Sequence, residues 1–151
     1  MMAIIATINP PNGLTKIADG MAKAMALSVK YTATEAWGNM RKDKTIKDRG
    51  TGAGSLQLQK VNDLEWKIFS SLEYMYYLNT GTKPHYAPWG AIKEWAERQK
   101  PPLPPFPIWY SILKKGTKEN KYVDRALEQA NARRGEFMER AMRETISKMG
   151  P

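Results

Sequence analysis

The stretch from Tyr76 to Trp95, YYLNTGTKPHYAPWGAIKEW, constrains the fold more than any other part of the chain. Pro84 and Pro88 fix their own φ and push Lys83 and Ala87 toward extended backbone, so the loop between them is stiff and loses little entropy on docking. Ahead of it, Leu72, Tyr74, Tyr76, Tyr77 and Leu78 have the aromatic content of a strand, and Asn79-Thr80-Gly81-Thr82 supplies residues that end one. The expectation is a β-strand over Tyr74–Leu78, with Gly81 at positive φ. Behind the loop, Trp89, Ile92 and Trp95 or Ala96 fall at helical spacing. Lys93, Glu94, Glu97 and Arg98 lie on the opposite side, which predicts a short amphipathic helix.

The flanking sequence reads as follows. Ala3 to Ile8 is a short β-prone run ended by Asn9-Pro10-Pro11-Asn12-Gly13. A long helix is expected from about Thr15 to about Lys42, on the three- and four-residue spacing of Ile17, Met21, Ala24, Met25, Ser28, Thr32, Ala36 and Met40. Its small, flexible stripe suits close packing, and Gly20 and Gly38 weaken it modestly. Arg41 to Ser55 alternates charges and then glycines with no periodic apolar face, so a mobile loop without apolar anchors is expected between Lys42 and Gly54.

Leu56, Leu58 and Val61 lead to Asn62-Asp63, and Leu64, Trp66 and Ile68 follow, which predicts a β-hairpin. Phe106 to Lys115 reads as a helix stopped by Gly116, with Lys114 and Lys115 suited to its negative end. A last helix is expected from about Val123 to Lys148, its apolar face interrupted by Arg133-Arg134-Gly135. These elements make one α+β domain over residues 1–151: a small antiparallel β-sheet with a long N-terminal helix, short middle helices and a long C-terminal helix.

Composition narrows the chemistry. Cysteine is absent, which excludes disulfides and thiolate metal sites and suits a reducing cytoplasm. The apolar run Met2–Ile8 is far shorter than the roughly 20 residues of a membrane span, and a soluble, unprocessed protein is expected. Twenty-four Lys and Arg against fifteen Asp and Glu give a net charge of +9, favouring an anionic partner such as nucleic acid or an acidic protein surface.

No catalytic constellation stands out. His85 is the only histidine, and it has no Asp, Cys or Ser pattern beside it; ordering its own loop through the backbone is the simpler role. No carboxylates show metal-ligand spacing, and Glu94 and Glu97 read as a solvated face. Gly50, Gly52 and Gly54 precede a hairpin rather than a helix, so they are not a phosphate loop. Trp89, Trp95, Trp109, Tyr86 and Tyr110 are many rings for so short a span, serving the core and, in part, an interface. The basic run Arg41, Lys42, Lys44, Lys47 and Arg49, with Arg133 and Arg134, supplies the best candidates for phosphate or partner contacts.

The Tyr-rich run, Asn-Thr-Gly-Thr-Lys-Pro-His, a further Pro and a helix carrying Trp together resemble the neck and tail-completion proteins of long-tailed bacteriophages. The likeness extends through Lys-Lys-Gly-Thr and Tyr122-Val123 into the last helix, covering Leu56 to Met149. The linker Pro101-Pro102-Leu103-Pro104-Pro105 departs from it in its proline content.

The resemblance implies a non-enzymatic virion protein, made in the host cytoplasm and needing no cofactor. It implies a homo-oligomeric ring of six subunits at the head–tail junction, next to portal, adaptor, head-closure or tail-tube proteins and near packaged DNA, with no membrane contact. Tyr86, Trp89, Arg133 and Arg134 are the candidate subunit-interface residues; Arg41, Lys42, Lys44, Lys47 and Arg49 are candidates to meet DNA or a neighbouring ring. The alternatives are a small basic DNA-binding accessory protein, which lacks a recognisable helix-turn-helix, zinc or RNA-binding signature, and a small nuclease, which lacks a cluster of metal-binding acids.

Overall fold

The computed structural model describes residues 12–46 and 48–150; the β-prone run Ala3–Ile8 and Lys47 lie outside them. In chain order the elements are α1 (Asn12–Lys42), α2 (Thr51–Ser55), β1 (Leu56–Asn62), β2 (Glu65–Ser70), α3 (Glu73–Thr80), α4 (Trp89–Arg98), α5 (Pro105–Lys115), α6 (Tyr122–Ala132) and α7 (Arg134–Met149). The α+β class holds, with a long helix at each end and, among the described residues, one two-stranded antiparallel sheet.

α1 is the spine, touching α6, α7 and both strands. Ala24, Ser28, Ala36 and Met40 of its predicted stripe are buried, whereas Ile17, Met21 and Met25 stay exposed. Small residues let the helices approach closely: a Cβ added at Gly20 would lie 2.7 Å from the Met149 sulfur. Farther along, Tyr31 packs on Phe137 with ring centroids 6.3 Å apart, and its hydroxyl donates to Glu144 at 2.6 Å. The main core gathers at the C-terminal half of α1, where Met40, Ile46, Ala53, Leu56, Met75, Tyr122 and Ala126 are buried together. The polar atoms of two aromatic residues there are paired: Trp37 Nε1 donates to the Leu56 carbonyl at 2.9 Å and the Tyr122 hydroxyl to the Met75 carbonyl at 3.2 Å. Burial without those partners would be costly.

The hairpin forms where expected, with Leu58 opposite Ile68 and a register irregularity between Lys60 and Asn62. Its turn is Asp63-Leu64, one residue beyond the Asn62-Asp63 of the sequence reading, because the Asn62 side chain accepts the Leu64 amide at 2.9 Å. That local bond fixes the turn position.

Three expectations are corrected. Tyr74–Leu78 is not a strand but most of helix α3. Leu72, Met75 and Leu78 are three residues apart and pack into the core, while Tyr74, Tyr76 and Tyr77 face outward; tertiary burial of that stripe overrides the β-propensity of the rings. The segment after α1 does have apolar anchors: a 3-10 turn at Lys44–Ile46 and helix α2 insert Ile46 and Ala53 into the core. The C-terminal helix is two helices, meeting at Arg133 with φ −100° and ψ 6°.

Candidate assembly surface

The proline loop is tied at both ends before its side chains are displayed. Gly81, at φ 75° as expected, ends α3. The next residue, Thr82, exchanges backbone hydrogen bonds with Thr117 at 3.1 and 3.2 Å. Gly116, also at φ 75°, lets the two segments meet. A Cβ there would sit 1.9 Å from the Thr82 carbonyl oxygen. Farther on, His85 Nδ1 donates to the Lys83 carbonyl at 2.9 Å, which fixes that tautomer and gives the lone histidine the backbone-ordering role read from sequence. Ala87 is buried, and its carbonyl accepts Trp109 Nε1 at 2.8 Å. Pro88 then leads into α4.

Trp109 is the hub of an aromatic ledge. Tyr86 and Trp89 meet it edge-on at 5.9 and 6.1 Å, and Phe106 lies tilted against it at 6.1 Å. Phe106 stacks on Tyr110 at 6.2 Å, with Lys114 over the Tyr110 ring. Four of these rings are open to solvent: Tyr86 is 70%, Phe106 61%, Tyr110 48% and Trp89 40% exposed. Beside the ledge, Tyr76, Tyr77, Thr82, Pro84 and His85 line a hollow of about 800 Å³. The proline-rich linker returns along α4, with Leu103 N donating to the Ala96 carbonyl at 3.0 Å, and delivers Pro105 to the first turn of α5.

The structure therefore brings Tyr86 and Trp89 together. Arg133 and Arg134 have other neighbours. Arg133 pairs with Glu35 at 2.7 Å and Glu136 at 3.0 Å and lies over the Phe137 ring. Arg134 is exposed, with no ion pair among the described residues. The sequence reading missed Phe106 and the central role of Trp109. The signal was present: Phe106, Trp109 and Tyr110 share one face of α5 at three- and four-residue spacing.

The basic segment is more occupied than its composition implied. Arg41 lies over the Trp37 ring at 4.7 Å, and Arg49 reaches Glu94 at 3.3 Å. Lys42 and Lys44 are exposed, and Lys47 lies outside the described residues. Two acids of the segment are clasped by arginines. Arg98 holds Asp48 through two bonds at 3.2 and 2.5 Å. Arg125 reaches Asp43 at 2.8 Å and Thr45 at 2.9 Å, and also bonds the carbonyl and side chain of Asn120. Burial alone would raise the pKa of Asp43, but hydrogen bonds from Thr45 and Arg125 outweigh it and hold the carboxyl below its usual value.

Because the folded pKa is depressed, Asp43 contributes stability above its unfolded pKa of about 3.9, and that contribution is lost as pH falls through the folded value. Replacing Arg125 by Ala is expected to cost about 1 kcal/mol near neutral pH, since the pair is partly open to water. Urea unfolding of wild type and Asp43→Asn should show a stability gap that closes below about pH 4. A gap that widens on acidification would contradict the clasp.

Among the described residues no group of His, Cys, Asp or Glu is placed to hold a metal. No helix there is long and apolar enough to cross a membrane. The chain matches no protein-family model, no curated protein and no solved structure.

Proposed function

We propose that this chain is a structural subunit of a tailed-phage virion, assembling into a ring at the head–tail junction as a neck or tail-completion protein, with no catalytic role. The observation that carries the assembly role is the exposed aromatic ledge shared by the double-proline loop, the start of α4 and α5, with the loop's backbone tied to the fold. Solvent-facing Tyr, Trp and Phe held at low entropy are the residue types that anchor interfaces. In a heterologous, ring-closing contact the ledge would seat on a different face of the neighbouring subunit, each subunit offering one patch and receiving another. The phage setting and the six-fold count rest on the sequence resemblance.

The expected result is that Tyr86→Ala leaves far-ultraviolet circular dichroism and melting nearly unchanged, because Tyr86 is 70% exposed. Assembly should weaken by about 2 kcal/mol or more, read as loss of rings in negative-stain images and of incorporation into particles. If the variant unfolds, the ring belongs to the core; normal incorporation would place the contact elsewhere.

The rival reading, a basic DNA-binding accessory protein, draws on the net charge of +9. It requires duplex binding that weakens steeply with salt. Divalent-metal-dependent cleavage of DNA by the purified protein, abolished by changing one acid, would overturn the non-enzymatic reading.

A further inference from the structure

Lysines from three elements converge on one groove remote in composition from the aromatic ledge. α1 supplies Lys23 and Lys30, β1 supplies Lys60 and α7 supplies Lys148. Lys23 and Lys30 are two helical turns apart, about 10 Å along one face of α1. Between the lysines the lining is mostly apolar: Ala22, Ala26, Leu27, Met149 and the half-buried ring of Trp66, with Thr145, whose hydroxyl donates to the Ala141 carbonyl, as the polar exception. The groove holds about 560 Å³, within the roughly 300–1,000 Å³ of small-ligand sites.

Its charge is unbalanced. Asp63, the one acid on the lining among the described residues, is already engaged by Lys60 at 2.6 Å. Among the described residues Lys23, Lys30 and Lys148 enter no ion pair. Several arginines elsewhere are matched by acids, as in Arg98 with Asp48, Arg125 with Asp43 and Arg140 with Glu144. Lys148 also acts on the Glu144 carboxylate one turn back, which Arg140 holds, so Lys23 and Lys30 carry most of the unmatched charge; cations above a low-dielectric floor concentrate positive potential there. Trp66 lends the groove its ring, while its indole Nε1–H is buried and has no hydrogen-bond partner among the described residues.

We propose that the groove between α1, the hairpin tip and the last turn of α7 binds a small amphipathic anion. The lysine rim holds a carboxylate, sulfonate or phosphate head, and an alkyl or aryl body lies on Leu27, Met149 and the Trp66 ring. This assignment is independent of the ring: it uses none of the ledge residues, and it stands or falls by itself.

The test is a titration of the full-length ¹⁵N-labelled protein with decanoate, decanol and inorganic phosphate, following the indole N–H resonances, with that of Trp66 assigned by Trp66→Phe. Decanoate is expected to shift the Trp66 resonance to saturation, with decanol about tenfold weaker or worse and phosphate alone not saturating. The double variant Lys23→Gln/Lys148→Gln, checked for unchanged circular dichroism, should weaken decanoate about tenfold. Asp63→Asn frees Lys60 and should tighten it about two- to threefold.

Equal binding of decanol and decanoate, undiminished binding by the double lysine variant, or no decanoate binding below its micelle concentration would each overturn the proposal. So would loss of binding in Met21→Gln/Ile146→Gln with the lysines intact, which would move the ligand to the exposed apolar face of α1 and α7.

Discussion

Gly116→Ala is expected to destabilise the protein by about 3 kcal/mol or more, the largest effect of any single methyl addition in the loop region. Two costs coincide. The residue sits at φ 75°, where a Cβ is strained, and that Cβ would lie 1.9 Å from the Thr82 carbonyl oxygen and 2.7 Å from the Lys83 carbonyl carbon. Both neighbours are backbone, so no side chain can swing aside. The structure must part at the Thr82–Thr117 pairing, taking the start of the proline loop with it. Urea unfolding checks the magnitude, with Gly90→Ala as control. Gly90 lies within α4 with open space around its Cβ position, so alanine there should be neutral or stabilising by up to about 1 kcal/mol. A loss below about 1 kcal/mol for Gly116→Ala would mean that the two segments do not meet as closely as described.

Trp109→Ala is expected to cost roughly 2–4 kcal/mol, toward the lower part of the range for buried aromatic truncations because the ring is only half-buried. Unlike Tyr86→Ala, it should damage both fold and assembly. Removing the hub leaves Tyr86, Trp89 and Phe106 without their shared neighbour and orphans the buried Ala87 carbonyl. Trp109→Phe separates the contributions: it keeps most of the ring contact and loses the hydrogen bond to Ala87, for an expected cost of about 1–2 kcal/mol. Thermal melting read beside ring formation distinguishes the two roles. A Trp109→Ala variant as stable as wild type would show that α5 and the loop do not depend on each other.

The parts of this fold legible in sequence are those fixed by nearby residues. The small-residue stripe of α1, the glycine stops at 81 and 116 and the hairpin alternation are each signalled within a few positions. α3 was not legible because two local signals conflict. Its tyrosines favour a strand, while Leu72, Met75 and Leu78 favour a helix, and only the core into which the second set packs decides. The segment around Ile46 and Ala53 was misread for a related reason. Single apolar residues have no periodicity, and their anchors, Met75 and Tyr122, are supplied from distant parts of the chain. The ledge was half legible: proline spacing marked Tyr86 and Trp89, but the partner that organises them comes from α5, 22 residues beyond Ala87 in the chain.

The main-chain tie between Thr82 and Thr117 separates where the ledge stands from what it displays. Placement is carried by amides, carbonyls and two glycines at positive φ; display is carried by Tyr86, Phe106 and Tyr110, whose outer faces have no part in that tie. Those three side chains can therefore be exchanged without relocating the platform that carries them. The freedom does not extend to Gly81 and Gly116: a Cβ at either would stand within 2.6 Å of a backbone oxygen. The chemistry of the ledge is open to change, and its position is not.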